Sequence, residues 1–359
     1  MPPRASKATD PRSHPRWGRR LAAAVFAVGL TASLAPAAAA GGNGPDYNGH
    51  ETINTSILHT YDELAAELEK QDARQEALEL EVIGQSVKGR DLFLAKYVND
   101  PANPTILFLT QQHGNEQLTT EGALEFIKHL GSARLGDTLE HVNVLIVPML
   151  NPDGAMGDVD FSLDDYVASG DRHLTRYNAV GADLNRDHVD RVQPETRALH
   201  EKVLGAYEID YMIDLHHQGT RSARDGQLVS GSILHPTTPE VDPDVLEGSK
   251  RLGAVVFDAV DSTGWGHLGK YAGGDATTIS RNGVAVEYGI STLLFEMRGM
   301  SDHEYEPYVL GQKSNGYLRQ QTLVTLEAAV QSIADGSIES ADTSFWDTLA
   351  EQEWMPRDE

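Results

Sequence analysis

The sequence predicts an α/β fold, a mixed, mostly parallel twisted sheet flanked by helices on both faces. Short, nearly continuous apolar runs recur along the chain, and stretches with helical spacing of apolar residues separate several of them. No internal repeat, coiled coil or low-complexity tract offers another architecture. Strands buried on both faces read as continuous apolar runs, and intervening helices cover those faces. With 359 residues, 40% of them hydrophobic, the chain can bury a sizeable core in one large domain or two modest ones.

The elements follow in order. A first helix is expected over about residues 60–73, where Leu64 and Leu68 recur at helical spacing. β-type runs follow at 80–87 (LEVIGQSV), 92–98 (LFLAKYV) and 105–110 (TILFLT). A helix-like stretch covers 118–130, and the next strand is VNVLIVPML at 142–150. A helix over 194–207 precedes the strand YMIDLHH at 211–217 and the run LVSGSIL at 228–234. A helix over 242–261, the strand TLLFEM at 292–297 and a long helix over 317–334 complete one domain, residues 58–335. The acidic tail, 336–359, carries Trp346 and Trp354 and is expected to pack as an extended strap or short helix.

The N-terminus predicts export. Arg4, Lys7, Arg12, Arg16, Arg19 and Arg20 precede an apolar run from Leu21 to Leu34, then APAAAA and GG. A basic region, an apolar region and small residues describe a signal peptide over 1–40, followed by a polar linker over 41–57. As a retained anchor, Leu21 to Ala40 could barely span a bilayer. Its alanine richness, Pro36 and the following glycines favour cleavage after Ala40. The pair Arg19–Arg20 admits twin-arginine export. A secreted or periplasmic location is therefore expected, with no stable membrane insertion after cleavage.

Without the leader, 23 basic residues face 53 acidic ones, a net charge of −30. Such a surface repels nucleic acid and anionic membranes, so neither is an expected partner. The chain has no cysteine. Disulfides and thiolate ligands are thereby excluded, and any metal must be held by His, Asp or Glu. Nothing in the sequence indicates an oligomeric state.

Four segments carry chemistry. In TILFLTQQHGNE, an apolar strand ends at Thr110, and His113 and Glu116 follow in the loop. Crevices at the carboxyl ends of strands are where sites form in α/β sheets, and a His and a carboxylate three apart can reach one ion. Polar loop residues would look the same; H-x-x-E recurs at His303–Glu306 with no strand before it. In YMIDLHHQG, a strand ends in His216 and His217, with Asp214 available to fix an imidazole tautomer. Two His and one Glu form a known zinc-hydrolase ligand set that leaves a fourth position open.

In TLLFEMRG, Glu296 sits near the end of a strongly apolar strand, where a carboxylate is costly without a purpose. It suits a general base near a metal, or a salt bridge with Arg298. In RYNAVGADLNRDH, Arg176, Asn185 and Arg186 cluster. Guanidinium and amide donors bind carboxylates and stabilise oxyanions, although a surface pair Arg186–Asp187 would fit equally. GWGHLGKY lacks both the Ser or Thr and the preceding strand of a phosphate loop. Neither H-E-x-x-H nor G-x-S-x-G occurs.

The order H-x-x-E, NPDG (Asn151 to Gly154), R-x-N-x-x-G-x-D-L-N-R, D-L-H and F-E-M-R resembles the zinc carboxypeptidase family, over roughly Leu80 to Gly299. The resemblance implies one Zn2+ per chain on His113, Glu116 and His216. It implies Glu296 as general base, Arg176 polarising the scissile carbonyl, and Asn185 with Arg186 gripping the substrate's C-terminal carboxylate. Family members also use a mobile tyrosine upstream of the base; Tyr271 is the candidate and Tyr288 the second. His217 could compete as ligand or line the pocket. The function implied is a secreted metallocarboxypeptidase acting on a peptide or peptide-like substrate with a free carboxylate. The alternatives are an amidase on cell-wall peptides or amino acid conjugates, and a catalytically dead binding relative.

Overall fold

The computed structural model describes residues 58–132, 135–160, 175–299, 301–302, 306–309 and 312–355. The expected signal peptide and linker, and His303 of the second H-x-x-E copy, lie outside the described residues.

The strands, in chain order, are β1 (Glu79–Gln85), β2 (Asp91–Tyr97), β3 (Thr105–Thr110), β4 (Asn143–Val147), β5 (Tyr211–Gln218), β6 (Ser222–Arg224), β7 (Gln227–Leu228), β8 (Gly231–Leu234), β9 (Leu268–Lys270), β10 (Ser291–Arg298), β11 (Ser301–Asp302), β12 (Glu306–Val309) and β13 (Glu353–Trp354). Eight of them form one sheet in the order β1-β2-β4-β3-β5-β10-β8-β9. Its middle, β4-β3-β5-β10, is parallel throughout. β1–β2, β2–β4 and β8–β10 are antiparallel and β8–β9 is parallel, so the sheet is mixed and mostly parallel.

Strand alternation explains the two cores. Ile106 and Phe108 of β3, Val144 and Ile146 of β4, Ile213 and Leu215 of β5, and Leu293 and Phe295 of β10 share one face. The helices α2 (Gln117–Leu130), α5 (Pro243–Asp261) and α7 (Gln312–Ala334) cover it through side chains such as Phe126, Val256 and Leu326. Leu107, Leu109, Leu145, Val147 and Met212 face the other way. There they meet α4 (Pro194–Leu199), the π-turn His200–Leu204 and α6 (Ser280–Tyr288) through Leu199, Val203 and Val284. Two more helices flank the sheet, α1 (Tyr61–Asp72) and the short α3 (Pro152–Met156). α1 begins at a capping box: Thr60 Oγ1 accepts the Glu63 N–H, and the Glu63 carboxylate accepts the Thr60 N–H at 2.8 Å.

Some expected boundaries move for identifiable reasons. The run at 142–150 stops pairing at Val147, because Pro148 has no N–H to give. The run at 228–234 is two strands in different sheets, β7 and β8. The helix at 194–207 keeps α geometry only to Leu199. The tail forms short 3-10 turns at Ser337–Ser340 and Thr343–Asp347, then β13 on β6. Trp346 is buried, and its Nε1 donates to Lys250 O at 3.0 Å. Among the described residues no helix is long and apolar enough to cross a membrane.

Candidate metal centre

β3, β5 and β10 are parallel neighbours, so their carboxyl ends open on one edge of the sheet. His113 and Glu116 leave that edge in the loop after β3. His216 lies in β5, and Glu296 of β10 pairs with it in register. Alternation sends Asp214 and His216 to one face of β5 and His217 to the other.

The loop after β3 is tightly built. Gln111 adopts a left-handed φ of 51°. Its amide holds the turn, donating to Gly114 O at 2.8 Å and accepting from Thr120 Oγ1. A Cβ on Gly114 would fall 2.2–2.4 Å from backbone atoms of Gly154, Thr175 and Ala155. Only glycine permits that approach. The NPDG segment supplies the other side: Asn151 Nδ2 donates to Gln112 O and Arg176 O, both at 3.2 Å, and its Oδ1 accepts the Gly154 N–H. Asn151 thus ties the His113 loop to the Arg176 segment. Glu116 stands at the N-terminus of α2 without capping it, which leaves its carboxylate for the cluster.

The donor atoms converge. His113 Nδ1 lies 2.8 Å from Glu116 Oε1 and 3.1 Å from His216 Nδ1, and His216 Nδ1 lies 2.9 Å from Glu116 Oε2. One ligand atom from each residue lies within 4.8 Å of the others. Tetrahedral ligands with bonds near 2.0–2.1 Å sit roughly 3.3 Å apart, so this triangle can close on a zinc-sized ion with small adjustment. The far ring nitrogens meet carboxylates: His113 Nε2 is 3.1 Å from Asp183 Oδ1, and His216 Nε2 is 3.0 Å from Asp214 Oδ2. That is the outer arrangement metal-binding imidazoles take, and it aims each Nδ1 lone pair inward. His217 is not in the group.

Electrostatics agree with a cation here. Burial opposes protonation of His216, yet the Asp214 and Glu116 carboxylates raise its pKa well above the usual value. Burial also opposes ionisation of Glu116, but the His113 and His216 imidazoles hold its pKa well down. The field therefore favours positive charge at the point where the three side chains meet.

Glu296 faces this cluster. It is 7% exposed, and its Oε2 has no hydrogen-bond partner among the described residues. Burial pushes its pKa up to about 7, with the imidazoles and Arg176 pulling down and Glu116 pushing up. The alternative salt bridge to Arg298 does not form; Arg298 Nη1 donates to Val229 O at 3.2 Å. Arg176 is bound by Asp183 through Nε at 3.1 Å and Nη2 at 2.9 Å, and its Nη1 comes within 3.2 Å of His113 Nδ1.

The remaining candidates divide. Asn185 is buried: Oδ1 accepts the Ser280 N–H at 2.8 Å, and Nδ2 stands 3.3 Å from His216 Nε2. Arg186 is exposed and gives Nη1 to Asn185 O at 2.6 Å. No Arg186–Asp187 pair forms; Asp187 accepts the N–H groups of Val192 and Gln193 instead. Tyr271 lies within the field of Glu296, whose carboxylate is the leading cause that raises its hydroxyl pKa, ahead of burial. Tyr288 is elsewhere, its hydroxyl 2.9 Å from His200 Nδ1.

Sequence reasoning picked out Asp214 but missed the other residues behind the cluster. Asp183 bridges His113 and Arg176. Gln112 Nε2 donates to both oxygens of Asp214, at 2.9 and 3.0 Å, and Ser280 Oγ donates to the same carboxylate. The D of D-L-N-R was the available signal for Asp183. Nothing local marks Ser280.

The zinc carboxypeptidase family model matches residues 64–223, and the resemblance carried by the motifs is borne out. A zinc carboxypeptidase of Saccharothrix mutabilis subsp. capreolus is 29% identical over 139 residues, 36% of this chain and 32% of that protein. The chain thus spans about a third of that relative's length. A solved metallo-carboxypeptidase from Burkholderia cenocepacia superposes with a TM-score of 0.60 at 18% identity, covering 78% of this chain and 70% of the other. A Pseudomonas aeruginosa metallo-carboxypeptidase, solved in complex with (2-guanidinoethylmercapto)succinic acid, gives 0.56 at 22% identity, covering 77% and 70%. These structures share the fold.

Proposed function

We propose that this chain, a relative of the zinc carboxypeptidases, is a zinc-dependent metallocarboxypeptidase that removes residues from the C-termini of peptides. One Zn2+ per chain would be held by His113, Glu116 and His216. The observation that carries this reading is the convergence of those three donor atoms beside a buried, partly unpartnered Glu296.

Zinc in such a site supplies a Lewis acid that polarises a carbonyl and acidifies water. Glu296, with a pKa near neutrality, is matched to taking a proton from the attacking water and giving it to the leaving amine. Asp183 fixes Arg176 through two donors, leaving Nη1 toward the cluster and available to an oxyanion. The exposed Arg186 guanidinium, steadied by Asn185 O, offers a fork to the substrate's free carboxylate. Tyr271, which lies within the field of Glu296, would be the tyrosine that closes over a bound peptide. The dicarboxylic ligand of the Pseudomonas relative supports a carboxylate-bearing substrate here. The basic, apolar and small-residue pattern of residues 1–40 supports export, which N-terminal sequencing of the mature protein tests.

The deciding experiment is metal analysis with hydrolysis assays on wild type and Glu296→Gln. Stoichiometric zinc and release of single C-terminal residues by wild type, lost in Glu296→Gln, are expected. Bound zinc without turnover on a broad peptide panel would favour a binding role. Turnover confined to cell-wall peptide fragments would favour an amidase.

A further inference from the structure

Behind Asp214 a line of polar side chains runs to the last residue of α6, and the proposed hydrolysis makes no use of it. Gln112 Nε2 donates to both Asp214 oxygens, and Gln112 Oε1 lies 2.8 Å from His188 Nε2. His188 Nδ1 lies 3.0 Å from His200 Nε2, and His200 Nδ1 lies 2.9 Å from the Tyr288 hydroxyl. His188 and His200 are 1% and 2% exposed. Two imidazoles cost more to bury than leucines of similar volume, so packing alone does not account for them.

Every donor in the line can be assigned. Burial opposes ionisation of Asp214, but His216, Ser280 and Gln112 hold its pKa down, so the carboxylate only accepts. The amide therefore turns Nε2 to Asp214 and Oε1 to His188, and His188 Nε2 must carry the hydrogen. Burial keeps both imidazoles neutral, each with one donor and one acceptor nitrogen. His188 Nδ1 then accepts from His200 Nε2, which leaves His200 Nδ1 to accept from Tyr288. All the protons point toward Asp214.

The backbone around the line is specially built. Asp187 accepts the N–H groups of Val192 and Gln193. Arg191 takes a left-handed φ of 51° and gives Nε to His188 O at 3.2 Å. α4 widens into the π-turn at His200, a geometry frequent at functional sites.

Resting on the zinc reading of His113, Glu116 and His216, we propose that Tyr288, His200 and His188 are positioning residues for the metal. They anchor the Gln112 amide, which orients Asp214. Asp214 in turn holds the His216 Nε2–H, so that Nδ1 keeps its lone pair toward the ion. Bonds that share one direction polarise one another, so losing a distant donor weakens the last link.

The test is competitive zinc titration of the full chain, with the visible spectrum of the cobalt-substituted protein as a second readout. His188→Leu and His200→Leu should each weaken zinc binding by about tenfold and change the cobalt bands. His200→Gln keeps a donor and an acceptor and should stay within about twofold of wild type. Val203→Ala trims the same π-turn away from the line; it should lower stability and leave zinc affinity and the cobalt bands unchanged. Wild-type affinity in folded His200→Leu overturns the proposal and leaves the peptidase reading standing. So does a His200→Gln protein as weak as His200→Leu, since direction would then not matter. Should the leucine variants fail to fold, the half-buried Tyr288→Phe decides: about threefold weaker binding supports the line, and no change overturns it. A wild-type protein that binds neither zinc nor cobalt sinks the underlying metal reading instead.

Discussion

Replacing Glu296 by glutamine should make the metal-free protein more stable at alkaline pH. The folded carboxyl has a pKa raised to about 7, against a reference of 4.5, chiefly by burial. The sign follows from linkage. Between those values the folded state holds a proton that the unfolded state has lost, so stability falls as pH rises through the window. At about 1.4 kcal/mol per unit, the difference corresponds to roughly 3 kcal/mol by pH 8. Glutamine keeps the volume and removes the charge but leaves a polar atom near the unpartnered Oε2 position, which costs about 1 kcal/mol. The expected net gain is roughly 2 kcal/mol at pH 8, shrinking toward zero at pH 5, where the wild-type carboxyl is protonated. Urea unfolding in chelator at both pH values measures it as the variant-minus-wild-type difference, in which other titrating groups cancel. A variant no more stable than wild type at pH 8, or a gain equal at both pH values, would refute the reasoning.

Three other perturbations test the scaffold. In Asp214→Asn, one acceptor oxygen replaces two that serve His216, Gln112 and Ser280; competitive zinc titration should show affinity lower by about 10- to 100-fold, and a change under threefold would contradict the role. Gly114→Ala drives a Cβ into backbone that has nowhere to go. It should destabilise by about 3 kcal/mol and weaken zinc binding, and a folded variant with normal affinity would show the loop to be more plastic than its packing implies. His188 and His200 are held neutral, burial pulling their pKa values down to about 3 and about 4 from 6.5. Depressed values mean that the unfolded state binds more protons below pH 6.5, so their contribution is full above that pH and is lost on acidification. His188→Gln should therefore lose less stability than wild type between pH 6.5 and 4, by about 1.4 kcal/mol per unit at most, in the same urea assay.

Much of the fold could be read because β3, β4, β5 and β10 are apolar on both faces, and such runs have few other uses. β9 and α6 escaped notice for the opposite reason. β9 is three residues long, and α6 reads SRNGVAVEY, with too few apolar positions for a helical stripe. Its glycine is required because a Cβ on Gly283 would meet Thr277 O at 2.2 Å, a contact no local pattern announces. The three metal-site candidates were visible from their places at strand ends. Of their outer partners, Asp214 was visible too, two residues before His216 on the same strand, whereas Asp183 was not, because it reaches His113 across 70 positions of chain.

The ambiguous cases show what tertiary structure adds. By sequence alone Glu296 suited a salt bridge with Arg298, two residues on along the same strand. The fold turns that guanidinium to a backbone carbonyl of Val229 and leaves a carboxylate oxygen of Glu296 unpartnered beside two imidazoles. Glu116, Asp214, His216 and Glu296 together place three carboxyl groups and an imidazole in a region each of them barely exposes to water. An apolar core would hold the sheet edge together better than this cluster does. A chain that keeps so many buried ionisable groups at the carboxyl ends of three adjacent parallel strands breaks the ordinary rules of burial there. That place is where a bound cation would neutralise the excess, which supports the proposal of a metal site over the reading of a defect.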